Sequence, residues 1–344
     1  MPVNQSSSSP ERFARRLAVS WSSIRGHDQI IKAIRHVIRR GRLAHAYLFV
    51  GPVGVGKRLV ATEMAKALLC ETHPEQRSDD SCDRCPGCTQ VTARTHPDFQ
   101  LLEVPEGKHE FPIALMQEAI AHLGLKPARG RHRVTIIDEA DLLSEEAANC
   151  FLKTLEEPPP ASLLILLAPG IESQLPTVRS RCQVIRFGTL PDGVVAELLV
   201  SAGIVKTPAE ADKLAPLCQG SLNSAQLLKE PEVRGFREEI AKLVERPAID
   251  SVELGQKLVK FVEAAGQDSA AKRRRGQLAL QFIIEHLRAQ LHAASAGVDE
   301  REGRLEAVAE SVDRTILASQ QIDRRLQLVL ALEGFADNLG QLLR

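Results

Sequence analysis

The sequence of 344 residues has few aromatic side chains and no excess of either charge. Phe, Trp and Tyr make up only 3% of it, which counts against a base-stacking surface for single-stranded nucleic acid. Lys and Arg number 44, as do Asp and Glu, so no global field draws the chain toward DNA or a membrane surface. It also lacks any apolar run approaching the ~20 residues of a membrane span.

The first residues lack the apolar segment of a secretory signal, and residues 1–20 predict a disordered tail. A basic stretch at residues 12–16 leaves an organellar transit peptide as an alternative. Without export features we expect a reducing compartment, where the seven cysteines bind metal or lie buried instead of forming disulfides. Three isolated cysteines are expected to be buried: Cys150, Cys182 and Cys218.

Short apolar segments alternate with amphipathic ones in the first half of the chain. Strands are predicted at residues 46–50, 100–104, 134–137 and 163–167, and helices at residues 24–40, 59–69, 113–123 and 145–157. This alternation indicates a doubly wound parallel α/β sheet. After residue 187 the strand signals fade and the pattern becomes helical, with a loop predicted at residues 266–276 around a basic cluster at residues 272–275.

Residues 51–58 read GPVGVGKR, a phosphate-binding loop that is complete until its last letter. Gly51, Gly54 and Gly56 let successive backbone N–H groups wrap a triphosphate, and Lys57 would reach its β- and γ-phosphates. The pattern requires a Ser or Thr next, because its hydroxyl ligates Mg²⁺. Arg58 stands there instead, and it has no acceptor atom and carries a fixed positive charge. The loop therefore predicts a nucleotide-binding site that has lost its catalytic function.

Asp138 and Glu139 follow the third predicted strand. In P-loop proteins an Asp at this position holds Mg²⁺, and the adjacent Glu can polarise the attacking water. The alternative is an acidic pair that merely ends a strand. Its position about 80 residues after the phosphate loop favours the catalytic origin.

Four cysteines form a cluster within residues 70–98: Cys70, Cys82, Cys85 and Cys88. The last three have C-x2-C-x2-C spacing, and thiolates two residues apart on a turn converge on one tetrahedral Zn²⁺. Four sulfurs leave no open coordination position, so the predicted role is structural. The alternative is free thiols in a loop. His73 and His96 are expected to be surface histidines and not ligands.

Together these segments resemble the AAA+ clamp-loader subunits of bacterial DNA polymerase III. The matching stretches are residues 42–49 before the phosphate loop, the cysteine cluster, and residues 137–141, 149–159 and 175–182. The match extends over residues 24–225 and is highly specific. Within the family, the length of the chain favours the delta-prime type over the tau type, which carries a long extension.

The resemblance implies a fold that combines α/β and all-α parts. It implies an AAA+ nucleotide-binding domain at residues 21–188, a zinc module at residues 70–98 within it, a helical lid at residues 189–230 and a helical collar domain for oligomerisation at residues 231–344. The collar fits the family only by position and helicity.

The resemblance also implies a role for Arg181, which lies where the family carries an arginine finger that reaches the ATP of a neighbouring subunit. Departures from the family's ATPases all point one way: Arg58 replaces the metal-binding hydroxyl, Ala168 replaces a polar sensor, and Ser224 replaces a second sensor's arginine. Hydrolysis is therefore expected to be absent or weak, and binding of ATP with Mg²⁺ to be weak at most.

The function implied is that of a stator in the DNA polymerase III holoenzyme, with no polymerase site of its own. Its partners would be the gamma/tau and delta subunits and, through the complex, the sliding clamp and primer–template DNA at the cytoplasmic, nucleoid-associated replisome of a bacterium. No membrane partner is expected. An active gamma/tau-type ATPase and an independent zinc-dependent DNA-binding protein are the alternatives. The cluster at residues 272–275 could touch DNA phosphate, but a solvated loop is the preferred interpretation.

Overall fold

The computed structural model describes residues 20–72, 79–105, 108, 110–129, 131–246, 248–266, 268–293, 302–323 and 327–343. The chain divides between Ala225 and Gln226 into two compact units. The tail predicted at residues 1–20 lies outside the described residues except for Ser20, and so does His73. Among the helices of the described ranges, none is long and apolar enough to cross a membrane.

The first unit is built on a sheet of five parallel strands. The strands are β1 (Ala46–Val50), β2 (Phe99–Leu102), β3 (Arg133–Ile137), β4 (Ser162–Ala168) and β5 (Gln183–Arg186). They lie in the order β2-β3-β4-β1-β5, so β1 is covered on both edges. Every residue of β1 and β3 is buried, and β1 appears in the sequence as a continuous apolar run, whereas β3 includes the buried Arg133 and Thr135. The predicted parallel α/β class is confirmed.

Helices pack on both faces of this sheet. The helices up to residue 228 are α1 (Ser20–Ser23), α2 (Asp28–Arg40), α3 (Lys57–Leu69), α4 (Pro86–Ala93), α5 (Ile113–Gly124), α6 (Glu145–Glu156), α7 (Pro176–Arg179), α8 (Asp192–Ser201), α9 (Pro208–Leu214) and α10 (Leu222–Leu228). Alternate residues of β1 serve the two faces: Phe49 packs with Met64 of α3, whereas Leu48 packs in the cluster that holds Met116 of α5 and Phe151 of α6. The sheet is therefore buried on both sides.

Strand β5 was missed by the sequence analysis. It pairs with β1 along one edge of the sheet, with Val184 opposite Leu48. Its end residues Gln183 and Arg186 are exposed, so its sequence lacks the continuous apolar run that would predict a buried strand. Strand β2 lies at residues 99–102 and not at the predicted 100–104, which leaves Glu103 just beyond its carboxyl end.

The second unit is helical throughout its described residues. Its helices are α11 (Pro231–Val244), α12 (Ser251–Glu263), α13 (Ser269–Ala293), α14 (Glu302–Asp323) and α15 (Leu328–Leu342). Phe236 of α11 stacks on Phe261 of α12 with ring centroids 3.8 Å apart. Gly276 of α13 lets a neighbouring segment approach closely, because a Cβ there would lie 3.2 Å from Leu328.

The prediction of a loop at residues 266–276 was wrong, because the basic cluster at residues 272–275 lies inside helix α13. Lys and Arg are good helix formers, and the helix begins at Ser269, shortly after Gly266 at φ +81°. Arg275 is 7% exposed and bonds to both Glu230 (2.9 Å) and Glu232 (3.2 Å). The cluster is therefore not a solvated loop.

Candidate nucleotide site and metal centre

The phosphate loop connects the end of β1 to the start of α3, at the centre of the sheet. Gly51, Gly54 and Gly56 all have positive φ, of 154°, 83° and 102°. A side chain at Gly51 is excluded in addition by space, since its Cβ would lie 2.4 Å from the carbonyl oxygen of Phe187. The glycines are thus required by the path of the backbone, as the motif predicts.

The buried imidazole of His27 contacts the backbone of this loop. Its Nε2 lies 2.8 Å from the carbonyl oxygen of Val55, and the ring packs edge-on against Phe187 at 5.0 Å. The imidazole is 6% exposed. The sequence analysis did not single out this residue, because a lone histidine before a helix carries no motif.

Lys57 and Arg58 form the first turn of α3, and their side chains have different partners. The Lys57 ammonium donates to the carbonyl oxygens of Gly51 (2.5 Å) and Pro52 (2.8 Å), so it lies over the loop. Arg58 reaches across the carboxyl ends of the neighbouring strands. Its Nη1 donates to Glu103 and, at 3.2 Å, to Asp138.

Two carboxylates lie side by side because β2 and β3 are in register. Leu102 lies opposite Ile137, and the amide of Asp138 donates to the carbonyl oxygen of Leu102 at 2.9 Å. Glu103 and Asp138 follow these residues at the edge where ligands gather in parallel sheets. Burial raises the pKa of Asp138, and the positive charge of Arg58 opposes that effect.

A fourth group completes this network of charges. Arg94, which follows helix α4, donates from Nη1 to the second oxygen of Glu103 at 2.5 Å. The order of the network is therefore Arg94, Glu103, Arg58, Asp138. Because the sequence analysis placed Glu103 inside a strand, it missed both Glu103 and Arg94; the correct end of β2 was the signal that could have found Glu103.

The remaining predicted positions of the nucleotide site differ in exposure. Glu139 is exposed, and its backbone has a φ of +49°, which residues other than glycine rarely adopt. Its amide donates to Asp138 Oδ1 at 3.0 Å. Ala168 ends β4 beside Val50 and is 2% exposed. Ser224 lies half-buried in α10.

The four clustered cysteines converge at the end of helix α3. One sulfur from each of Cys70, Cys82, Cys85 and Cys88 lies within 4.8 Å of the others. The Cys70–Cys85 and Cys82–Cys88 sulfur pairs are 3.9 and 4.0 Å apart. A tetrahedral site with metal–sulfur bonds of ~2.3 Å has sulfur–sulfur edges of ~3.8 Å, so the donor set fits such an ion. This group of side chains could hold a metal.

Backbone amides point at the sulfurs of this cluster. Cys85 Sγ accepts from the amides of Glu71 and Cys88, each at 3.4 Å, and Cys82 Sγ accepts from the amide of Cys85 at 3.3 Å. Burial raises the pKa of Cys82, but the hydroxyl of Thr72 and nearby amides outweigh it and lower the pKa to about 6. The donors at Cys82 stabilise its thiolate, the form that binds metal, whereas burial raises the pKa of Cys70 and Cys88.

A buried ion pair ties the cysteine cluster to helix α3. Lys66 is 0% exposed; its ammonium donates to Glu63 at 2.6 Å and contacts Asp83, which lies between two of the cysteines. Burial raises the pKa of Glu63; burial alone would lower the pKa of Lys66, but its bonds to Asp83 and Glu63 raise it. The indole of Trp21 adds a hydrogen bond to the Asp79 carbonyl oxygen at 2.6 Å.

Two expectations about isolated residues were wrong. His96 is 3% exposed and not a surface residue: its Nδ1 accepts from the amide of Asp98 at 3.0 Å, and burial lowers its pKa. Of the isolated cysteines only Cys218 is buried, whereas Cys150 and Cys182 are half-buried. Cys150 lies in the middle of helix α6, and Cys182 directly precedes strand β5.

Arg181 lies just past helix α7, with its side chain one-third exposed. It donates to Glu156 Oε1 at 2.5 Å and to the carbonyl oxygen of Thr177 at 2.9 Å. Glu156 is itself 52% exposed, so the pair lies at the surface. The structure brings Lys57, Arg58 and Asp138 together, whereas Arg181 has these separate partners.

Comparisons with known proteins agree on one family. A family model described as DNA polymerase III, delta subunit, matches residues 26–191. DNA polymerase III subunit delta′ of Pseudomonas aeruginosa is 33% identical over 207 residues, which are 60% of this chain and 61% of that protein. Subunit delta′ of Bacillus subtilis is 25% identical over 95% of this chain and 99% of its own length. Subunit tau of Escherichia coli is 31% identical over 62% of this chain but only 33% of its own length.

Proposed function

We propose that the chain, which is similar to delta-prime-type subunits of DNA polymerase III, acts inside a clamp loader without hydrolysing ATP itself. Its partners are the gamma/tau and delta subunits, and the assembly places the sliding clamp on primer–template DNA. The observation that carries the non-hydrolysing role is Arg58, whose guanidinium bridges Asp138 and Glu103 where an ATPase would need a metal ligand.

The first experiment tests assembly and hydrolysis separately. The chain is co-purified with the other clamp-loader subunits of its organism, and ATP turnover is measured for the isolated chain and for the complex. We expect stable assembly and negligible turnover by the isolated chain. Arg58→Thr should not restore turnover, because Ala168 and Ser224 still lack the sensor side chains. Failure to assemble would contradict membership of the complex.

An active gamma/tau-type ATPase is the competing candidate, since Lys57, Asp138 and Glu139 are all present. In that case the isolated chain would hydrolyse ATP and lose turnover on Lys57→Ala. Vigorous turnover by the wild-type chain would establish this candidate in place of the stator.

The cysteine cluster holds one structural Zn²⁺. The sulfur separations, the amide donors and the absence of an open position among four sulfurs support this assignment. Metal analysis of freshly purified, never-chelated protein should find about one Zn²⁺ per chain. Protein prepared in this way without zinc would refute the assignment.

Arg181 acts as an arginine finger on ATP bound by a neighbouring subunit. Its partial exposure and its exposed partner Glu156 support the proposal, because a surface ion pair contributes only about 0–1 kcal/mol and can be exchanged for a phosphate contact. A guanidinium there would neutralise charge that develops on the γ-phosphate oxygens.

A further inference from the structure

A single nitrogen of Arg58 bridges the two carboxylates beside the phosphate loop. Nη1 donates both to Glu103 Oε1 and, at 3.2 Å, to Asp138 Oδ2. A divalent cation in an ATPase of this class is held by an Asp at this strand end and by a hydroxyl at position 58. Here the hydroxyl is missing and the guanidinium lies against the Asp, so the residues do not fit Mg²⁺.

The charges of the network support this substitution. Arg58 and Arg94 contribute two positive charges against the two negative charges of Glu103 and Asp138. The Lys57 ammonium lies over the loop, where it donates to the carbonyl oxygens of Gly51 and Pro52, and its positive charge also acts to lower the pKa of Asp138.

We propose that Arg58 takes the place of the divalent cation, so that the phosphate loop binds the triphosphate of a nucleotide without Mg²⁺. The glycines at φ 83° and 102° give the loop residues in the left-handed conformation that phosphate-binding nests use. The inference rests on the non-hydrolysing role proposed above and deepens it: the site keeps its anion-binding loop and replaces its metal with a side chain.

The first test is thermal melting of the complete chain in EDTA and in Mg²⁺, without nucleotide. Wild-type protein should melt at the same temperature in both. Arg58→Thr should have a lower melting temperature in EDTA, because Glu103 and Asp138 then face each other without a bridging cation. Mg²⁺ should restore the melting temperature of this variant, since it would bind only the folded state. Arg94→Thr is the matched control: it removes an arginine from Glu103 but leaves the bridge, so it should show no response to Mg²⁺.

The second test needs no variant and uses ATP and inorganic tripolyphosphate as probes, with calorimetry on the wild-type chain. Binding of either probe in EDTA, with an affinity within about threefold of that in Mg²⁺, supports the inference. Binding that requires Mg²⁺, or no binding of either probe, overturns it. So does a wild-type chain that Mg²⁺ stabilises, or a folded Arg58→Thr variant that Mg²⁺ leaves unchanged. ATP turnover would instead contradict the stator role, so the two failures are distinguishable.

Discussion

Lys66 stabilises the first unit as the cation of a buried ion pair. It is 0% exposed, and its ammonium neutralises the buried carboxylate of Glu63 together with Asp83. Lys66→Met leaves these carboxylates without their cation, and breaking a buried pair in this way costs about 3–5 kcal/mol. Urea denaturation followed by fluorescence of Trp21, the single tryptophan, measures the loss.

The control for this variant is Lys257→Met, which removes a surface pair. The Lys257 side chain is 32% exposed and its partner Glu239 is 59% exposed, so the expected cost is about 0–1 kcal/mol. Because Lys257 lies in the second unit, circular dichroism replaces tryptophan fluorescence as its probe. Losses of similar size in the two variants would show that Lys66 is not the cation of a buried network.

Because the phenol of Tyr47 is buried, we expect the free energy of unfolding of the protein to fall at alkaline pH. Burial raises the pKa of its phenol above 10.0, although a hydrogen bond from the Ala44 amide opposes this. The folded state therefore holds this proton more tightly than the unfolded state does. Stability is fully present below pH 10 and falls as pH rises through the folded-state pKa, by at most about 1.4 kcal/mol per pH unit for this group.

Tyr47→Phe keeps the ring and removes the proton, so it should flatten this alkaline fall. Unfolding free energies measured between pH 8 and pH 11.5 would show the difference in slope. The raised pKa of Lys66 has the same sign, so part of the fall should persist in the variant. Equal slopes for wild type and Tyr47→Phe would mean that the phenol makes no contribution.

At the scale of elements, the cysteine cluster is an excursion from the sheet that is linked to helix α3 through Lys66 and would be held together by the proposed zinc. Cys85→Ser removes a ligand whose sulfur also accepts two amide hydrogen bonds. We expect the variant to lose zinc and the amides of residues 79–98 to lose protection from hydrogen exchange. Strands β1 and β3 should stay protected, since they pack in core clusters to which residues 79–98 contribute only Val91. Full zinc content, or loss of protection throughout the sheet, would contradict this account.

In the second unit, Arg275 joins helix α13 to the start of α11. It bonds to Glu230 and Glu232 and lies 5.2 Å from the ring centre of Phe261. Because both glutamates are about half exposed, Arg275→Ala leaves them hydrated, and the cost is that of charged hydrogen bonds, about 1–3 kcal/mol. Denaturation followed by circular dichroism measures it.

Arg314→Ala is the control for Arg275→Ala, since its pair with Glu310 is one turn apart on an exposed helix face. Such pairs contribute about 0.3–0.5 kcal/mol. A loss as small as this for Arg275→Ala would mean that the buried guanidinium does not join the helices.

The elements that could be predicted are those whose burial leaves a pattern in the sequence. Strands β1, β3 and β4 are covered on both faces and appear as largely apolar runs, and the glycines of the phosphate loop follow from its backbone path. The edge strand β5 leaves no such run. Lys66 could not be found, because a Glu and a Lys three residues apart on a helix are typical of a solvated pair until tertiary packing covers them.

For the whole molecule, charge balance counts against an independent DNA-binding protein. The chain has equal numbers of basic and acidic residues, and the basic cluster of helix α13 is engaged locally. Lys272 pairs with Glu263 at 2.5 Å, and Arg274 pairs with Asp268 at 3.4 Å. Steeply salt-dependent DNA binding by the lone chain would favour that alternative nevertheless.

The finger proposal can be tested only in the whole clamp loader. Arg181→Ala should leave the chain folded and assembled, because the lost pair with Glu156 is a surface pair. Arginine fingers contribute roughly 10³–10⁵ in rate in well-studied GTPases, so even a tenfold fall in clamp loading would be informative. Only the ATP site that faces Arg181 should fail, so total ATPase would drop modestly while loading drops severely. Arg181→Lys should rescue poorly, since it lacks the planar fork of donors.

Two further variants separate the finger from a local role of the same arginine. Glu156→Gln removes the carboxylate partner and keeps Arg181, so a finger predicts normal loading, whereas a purely local ion pair predicts the same defect as Arg181→Ala. Arg179→Ala removes a neighbouring arginine whose carboxylate partner, Glu172, lies 3.7 Å away, and it should load clamps normally. Wild-type loading by an intact Arg181→Ala complex would remove the finger assignment, because a guanidinium that acts on a neighbour's γ-phosphate cannot be deleted without a change in rate.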